Sequence, residues 1–284
     1  MENTQRSGTA GLKITRAIIY IVCIFLAILS IFPFWIMFVN ATRSTAEIQS
    51  GLSLIPSTHL ISNLQVLLGK SFDPIQGFLN SFIISSSATI LTVYFSSLAA
   101  YGLVTYNWKL RNAFFTFILC VMMIPAQASA IGFYQFMYKL QWTNNFLPLI
   151  LPAIAAPAVV FFMRQYLLAT LSIEIVEAAR VDGSGEFKTF NRIILPLMIP
   201  AVATQAIFAF VGNWNNLFMP LILLTKKELY TMPIMVSLLR GDIYKLEFGT
   251  IYLGLALTAL PLFIVYFLLS RYIIAGVALG GVKE

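Results

Sequence analysis

One histidine, His59, and two cysteines, Cys23 and Cys120, are all the imidazole and thiol chemistry that the sequence holds. Both cysteines lie inside apolar runs, so they read as packing residues, and neither a disulfide frame nor a metal site is expected. His59 reads as a loop residue. Charge is scarce as well: 10% of the 284 residues are charged and 59% are hydrophobic, whereas soluble domains carry roughly a quarter of charged residues. A soluble globular protein is thereby excluded, and an integral membrane protein is expected. The charge that is present leans basic, with 18 Lys and Arg against 11 Asp and Glu. In a membrane chain such an excess marks cytoplasmic loops and anionic lipid surfaces. No basic patch interleaved with aromatics occurs, so nucleic acid is not an expected partner.

Catalytic patterns are missing too. Gly69, Lys70 and Ser71 look like the end of a phosphate loop, but Leu64 stands where its first glycine belongs. No G-x-S-x-G, H-E-x-x-H, paired-cysteine or dinucleotide pattern is present. The chain is therefore read as a non-enzyme, with no catalytic residue, no metal ligand and no cofactor of its own.

What the sequence has in abundance is long apolar runs. Charge-free intervals cover 17–39, 74–108, 112–138, 140–163, 193–225 and 248–270, and each reaches the roughly 20 residues that cross a bilayer. Six transmembrane helices are expected, in an all-α fold. The first run is too long for a secretory signal and no small-x-small cleavage site follows it, so it reads as an uncleaved anchor. With the N-terminus in the cytoplasm, eleven of the 18 basic residues fall inside and seven outside, which the positive-inside rule favours. Residues 1–16 then form a cytoplasmic segment, 17–275 the transmembrane domain and 276–284 a cytoplasmic tail. Prolines 33, 125, 148, 152, 157, 220 and 261 interrupt the runs; they read either as bends around a cavity or as the raised proline frequency of membrane helices. An external amphipathic piece, Met232 to Leu239, is expected to lie on the membrane or to meet an external partner.

No acid lies inside any of the intervals, whereas ion-driven carriers keep an ionisable group within the membrane for coupling. Energy, where used, is expected to come from outside this chain. The polarity of the runs is uncharged. Serines and threonines of the second run, among them Ser85, Thr89, Thr92 and Ser96, read as helix-packing residues. Asn213, Trp214, Asn215 and Asn216, with Gln127, offer amides and an indole that suit a neutral polyhydroxyl ligand; interhelical hydrogen bonding is the competing reading.

One cytoplasmic stretch says more than membrane helix. In EAARVDGSGEFKTFNRIILPLMIP, Glu177 to Pro200, a short helix is expected to stop at Gly183, because glycine tolerates the left-handed conformation of a helix end. Ser184 is the expected cap of a second helix, with Glu186 in its first turn and Phe187, Phe190 and Ile194 at helical spacing. Pro196 closes the segment. Such a solvated elbow is a handle for a soluble partner.

The order E-A-A, three residues, glycine, then I-x-L-P resembles the cytoplasmic signature loop of binding-protein-dependent ABC importer permeases. Glu177, Ala178, Ala179, Asp182, Gly183, Phe190, Ile193, Leu195 and Pro196 stand in that pattern. The resemblance covers nearly the whole chain and points to the carbohydrate-uptake branch, to the smaller permease of maltose-type transporters. It includes IFPFWIMFVNATRS at 31–44, NSFIIS at 80–85, AAYGLVTYNW at 99–108, MIPAQASAIGFYQFM at 123–137, NWNNLFMPLILL at 213–224 and GGVKE at 280–284. Ser172, where the family often has proline, is a departure that still suits a helix start.

The resemblance implies six transmembrane helices of the type I ABC importer kind, with a cytoplasmic coupling helix between helices 4 and 5 in an elbow at 172–196. It implies a second homologous permease, two ATP-binding subunits that hydrolyse ATP with Mg, and an extracytoplasmic sugar-binding protein. The setting is the bacterial inner membrane, with both termini cytoplasmic. Glu177, Ala178, Ala179, Asp182, Gly183, Phe187 and Phe190 become ATPase-coupling candidates, and Lys283 and Glu284 tail contacts. Asn213, Trp214, Asn215, Asn216 and Gln127 become candidates for the path of a sugar or oligosaccharide. A related importer for another polar solute, such as a glycerol phosphate, and a self-sufficient secondary sugar carrier are the alternatives.

Overall fold

The computed structural model describes residues 2–69, 72–240 and 247–281, with side chains over 15–69, 72–125, 127–240 and 247–268. The described elements are helical. In chain order they are α1 (Glu2–Ala41), α2 (Thr45–Gln49), α3 (Leu60–Gly69), α4 (Pro74–Thr105), α5 (Arg111–Met122), α6 (Ala126–Lys139), α7 (Leu147–Ile150) and α8 (Pro157–Thr170). Then follow α9 (Ile173–Val181), α10 (Glu186–Thr189), α11 (Leu195–Leu197), α12 (Ile199–Trp214), α13 (Phe218–Leu223), α14 (Met232–Leu238) and α15 (Phe248–Gly281).

Four helical stretches are long and apolar enough to cross a membrane: Thr15–Ala41, Pro74–Thr105, Leu147–Thr170 and Phe248–Leu268. Two further pairs pass together but are sharply bent, Arg111–Met122 with Gln127–Lys139 by 96° and Glu186–Leu197 with Ile199–Trp214 by 80°. The structure thus holds four spans, or up to six when each bent pair is one span. Pro125 sits at the first bend, where its fixed φ of −61° and extended ψ of 124° end helical geometry.

The chain divides into two units, residues 1–72 with 239–257, and residues 73–238 with 258–284. In the first, the exit of α1 is locked by side chains. Arg43 is buried and donates to the Asn40 side chain at 3.3 Å and to the Gly51 carbonyl at 3.0 Å. Asn63 donates to the Ala41 and Arg43 carbonyls at 2.9 and 3.0 Å. Ser44 and Glu47 form a capping box on α2, and Glu47 also accepts from Ser57 at 2.9 Å and lies 3.4 Å from His59. His59 therefore belongs to this loop network. Gly249 closes against it, since a Cβ there would stand 2.2 Å from the Arg43 carbonyl and 2.6 Å from the Asn63 amide.

The second unit is built on α4. Ser81, Ser85, Ser96 and Ser97 on it are buried, and such small residues let α8 and α12 approach closely, as the sequence suggested. Thr92 donates from it to the Ala153 carbonyl at 3.1 Å. The start of α4 receives α14. Asn80 donates to the Glu228 and Tyr230 carbonyls, Ser81 accepts from the Met232 amide at 2.9 Å, and a Cβ on Gly77 would stand 2.8 Å from Met235 Sδ. Met232, Ile234, Met235 and Val236 are buried. This corrects the expectation for Met232 to Leu239: its apolar face is spent inside the chain, because α4 offers a glycine for it to settle on. Cys23 and Cys120 are free, and both are exposed within this chain instead of packed.

Candidate functional site

The elbow is built from local rules and then fastened to α4. In α9, Val176 and Ala179 are buried, three residues apart, while Glu177 and Ala178 between them face out. The helix ends as expected. Gly183 takes φ +74, its amide donates to the Arg180 carbonyl at 3.0 Å, and the Ser184 amide donates to the Ala179 carbonyl at 2.9 Å. That pair of bonds is a Schellman closure, which glycine enters without the steric cost of a Cβ. The second helix starts differently from the expectation. Gly185, not Ser184, is its cap, and no side chain caps it; the Ser184 hydroxyl instead accepts from Thr189 at 2.9 Å.

Pro196 does not end the segment either. Phe190–Ile194 widens into a π turn in which the Leu195 amide reaches back to the Phe190 carbonyl, and the chain bends only after Leu197. A proline supplies no amide to the carbonyl four residues before it and crowds it, so a widened turn just upstream relieves both problems.

Three contacts with α4 hold this elbow down, and two hydrogen bonds within the elbow brace them. Arg180 Nε donates to Glu186 Oε1 at 2.7 Å across the Gly183 turn, and Tyr101 of α4 donates to Glu186 Oε2 at 2.8 Å. Phe190 is fully buried between Tyr94 and Tyr101, with ring centroids 5.8 and 5.6 Å away. Tyr94 donates to Asn191 at 3.1 Å, and the Asn191 amide donates to the Phe187 carbonyl at 2.8 Å. The Arg180 guanidinium, first, and the Tyr106 and Tyr101 hydroxyls hold the Glu186 carboxyl down at about 2. Burial, and then the neighbouring Glu186, push the Tyr106 phenol up.

The coupling candidates are thus divided. Glu177, Ala178, Asp182 and Gly183 are exposed, and Phe187 is 66% exposed. Ala179 and Phe190 are buried within this chain, Phe190 against Tyr94 and Tyr101 of α4, so neither side chain is presented outward as those of Glu177 and Phe187 are. Sequence reasoning missed Val181, which is 88% exposed beside Asp182, and the Arg180–Glu186 clasp. The clasp leaves no periodic signal, since a turn separates its partners. Lys283 and Glu284 lie outside the described residues.

The polar-cluster candidates divide as well. Asn213 and Asn216 line a cleft of about 560 Å³ together with Ser129, Phe133, Phe136 and Pro152. That volume lies within the usual range for small-ligand sites, about 300–1,000 Å³. Asn213 also donates to the Ala209 carbonyl at 2.8 Å, which fixes its amide along α12. Asn144 ties the loop before α7 to the end of α13: its backbone amide donates to the Leu223 carbonyl at 2.8 Å, and its side chain accepts from the Thr225 and Lys226 amides at 2.7 and 3.0 Å. Trp214 does not reach the cleft. It is buried, stacks on Phe210 at 5.6 Å, meets Phe78 edge-on at 5.6 Å and donates its indole N–H to the Thr258 carbonyl at 3.0 Å. Asn215 and Gln127 are exposed and are not among the cleft's lining. The aromatic walls that the sequence assigned to Trp214 are Phe133 and Phe136. Among the described residues, no group of three or more His, Cys, Asp or Glu is placed to hold a metal.

Comparison with known proteins agrees with this architecture. A solved bacterial ABC transporter involved in the import of the acidic polysaccharide alginate superposes with a TM-score of 0.75 at 20% identity, covering 92% of this chain and 97% of that one. The arabinooligosaccharides transport system permease protein AraQ of Halalkalibacterium halodurans is 37% identical over 91% of this chain and 93% of its own length. The lactose transport system permease protein LacG of Rhizobium radiobacter is 35% identical over 90% of this chain and 92% of its own. Residues 92–278 match the model of the binding-protein-dependent transport system inner membrane component. The chain therefore belongs to that family, whose members are membrane permease subunits of transporters and not enzymes.

Proposed function

We propose that this chain forms half of the translocation pathway of an ATP-driven importer for a sugar or oligosaccharide in a bacterial inner membrane. A second homologous permease completes the pathway, two ATP-binding subunits dock on the elbow, and an extracytoplasmic sugar-binding protein delivers the substrate. In this reading the first bent pair is one span, the second crosses with its Ile199–Trp214 arm while its Glu186–Leu197 arm belongs to the elbow, six spans are present, both termini are cytoplasmic and α9 is the coupling helix between spans 4 and 5. The observation that carries the reading is the division of the elbow. One face is clamped to α4 through Glu186, Phe190 and Asn191, and the other presents Glu177, Val181, Asp182 and Phe187 to solvent. A part so fastened moves as one body with α4, so a displacement imposed by ATP-driven closure below passes to the pathway as alternating access.

The cleft at Asn213 and Asn216 is the proposed sugar contact. Two amides can hydrogen-bond hydroxyls while Phe133 and Phe136 cover the apolar face of a ring. The described lining contains no cationic side chain, which favours a neutral polyol over a glycerol phosphate. Purified chain, reconstituted in vesicles with its co-encoded permease, ATPase and binding protein, tests the proposal through sugar uptake that requires ATP. Glu177→Ala is expected to leave a basic ATPase group unpaired and to weaken docking by about 3 kcal/mol, roughly a hundredfold in affinity. Unchanged ATPase capture and unchanged uptake by that variant would overturn the assignment of the elbow, and uptake without ATP would favour a secondary carrier.

A further inference from the structure

Where α4 ends and α5 begins, two clefts meet. One, of about 410 Å³, is apolar and runs over Ala99, Gly102, Leu103 and Phe114. The other, of about 340 Å³, is polar and carries Lys109, Arg111 and Asn112. Asn107 and Trp108 line both. Trp108 is 41% exposed, with its ring 6.0 Å from that of Phe114. Next to Phe114 in the chain, Phe115 carries the guanidinium of Arg164 from α8 4.0 Å over its ring, with the Arg164 Nε buried and without a hydrogen-bond partner among the described residues. No ion pair among the described residues involves Lys109, Arg111 or Arg164, and the nearby Glu186 is already held by Arg180. Among the described residues, the Arg111 side chain donates to the Tyr106 carbonyl at 3.4 Å. The clefts therefore place unneutralised cations beside an open apolar groove, at the end of a 32-residue apolar helix.

We propose that this double cleft is a binding site for an anionic phospholipid, with the phosphate between Lys109 and Arg111 and an acyl chain in the groove over Gly102. Each half excludes other occupants. A free anion or a polyanionic chain would leave the groove empty, and a zwitterionic lipid would place its own cation against two more. An indole at the junction is suited to the boundary between headgroup and hydrocarbon. The site lies next to the elbow, since Tyr106 lines the groove and its ring also stands 5.4 Å from the Arg180 guanidinium. The proposal needs only that the chain is a membrane protein, so it stands apart from the choice of substrate.

The test uses the full chain in detergent with bromo-acyl lipids that quench indole fluorescence. The protein has four tryptophans, and Trp108→Phe isolates the contribution of Trp108 by difference. Brominated phosphatidylglycerol is expected to quench Trp108 saturably and at least tenfold more tightly than brominated phosphatidylcholine. Lys109→Gln with Arg111→Gln is expected to remove that preference, a loss of roughly thirtyfold from two basic residues at a headgroup. Gly102→Leu tests the groove with the cations intact; its Cβ would meet open space, so the fold is retained while saturable quenching is lost. Equal quenching by both lipids, an unchanged preference in the double variant, or displacement of the lipid by millimolar inorganic phosphate would overturn the proposal. So would loss of quenching once the partner permease and ATPase are bound, which would mean that a subunit covers the cleft.

Discussion

Phe187 and Phe190 stand three residues apart, and their truncations should fail in opposite ways. Phe190 is fully buried, and Phe187 is 66% exposed. A buried Phe side chain removes roughly 200 Å² from water, about 5 kcal/mol at 25 cal/mol per Å² as an upper bound. Phe190→Ala should therefore cost about 3–5 kcal/mol, cavity included. Because its neighbours are Tyr94 and Tyr101, the loss falls on the joint between elbow and α4. Phe187→Ala forfeits little within the chain, under about 0.5 kcal/mol. In the proposed assembly it removes an aromatic anchor worth about 2 kcal/mol, roughly thirtyfold in ATPase affinity. The assay pairs thermal unfolding in detergent with quantitative capture of the ATPase subunit. Phe190→Ala should unfold earlier and expose the elbow to limited proteolysis, while Phe187→Ala should unfold as the parent does and capture less ATPase. An elbow that stays protease-resistant in Phe190→Ala would refute the anchoring argument. Normal capture by Phe187→Ala would refute the docking surface.

Three further outcomes are expected. The Glu186 carboxyl, held at about 2 instead of its ordinary 4.5 by Arg180 first and by Tyr106 and Tyr101 after it, contributes stability that is fully present above pH 4.5. That contribution fades as pH falls from about 4.5 through 2; protease sensitivity of the elbow should rise over that window and lose this dependence in Glu186→Gln. Asn213→Ala with Asn216→Ala should reduce sugar uptake at least tenfold while ATPase capture and thermal unfolding stay unchanged, whereas Trp214→Ala should destabilise by about 3–5 kcal/mol from its buried stack; uptake that ignores the double substitution would remove the cleft from the pathway. Gly249→Ala should misfold the first unit, since its Cβ would stand 2.2 Å from the Arg43 carbonyl, and a parent-like unfolding temperature for this variant would contradict that packing.

Much was decided by the sequence alone. A bilayer accepts only segments that satisfy their own backbone and carry little charge, so the charge-free runs announced a membrane protein of helices before any contact was known. Gly183 was legible for a related reason, because a helix end in the left-handed region selects glycine locally. The run of Glu177, Ala178 and Ala179 with the later Ile193, Leu195 and Pro196 was specific enough to point to the family.

Direction was another matter. Phe187 and Phe190, or Asn213 and Trp214, share composition and neighbourhood in the chain, yet one of each pair faces out or into a cleft while the other is buried. Only the packing of α4 against the Phe190–Ile194 turn and α12 separates them, because burial depends on which neighbour arrives from a distant part of the chain. The Arg180–Glu186–Tyr101 clasp belongs to the same class: its carboxylate finds its phenol 85 residues away. So does α14, whose apolar face looked free until the glycine at the start of α4 received it. Composition and local backbone rules determined what this chain is made of and where it lives; the tertiary structure decided which of its residues remain available to a partner or a ligand.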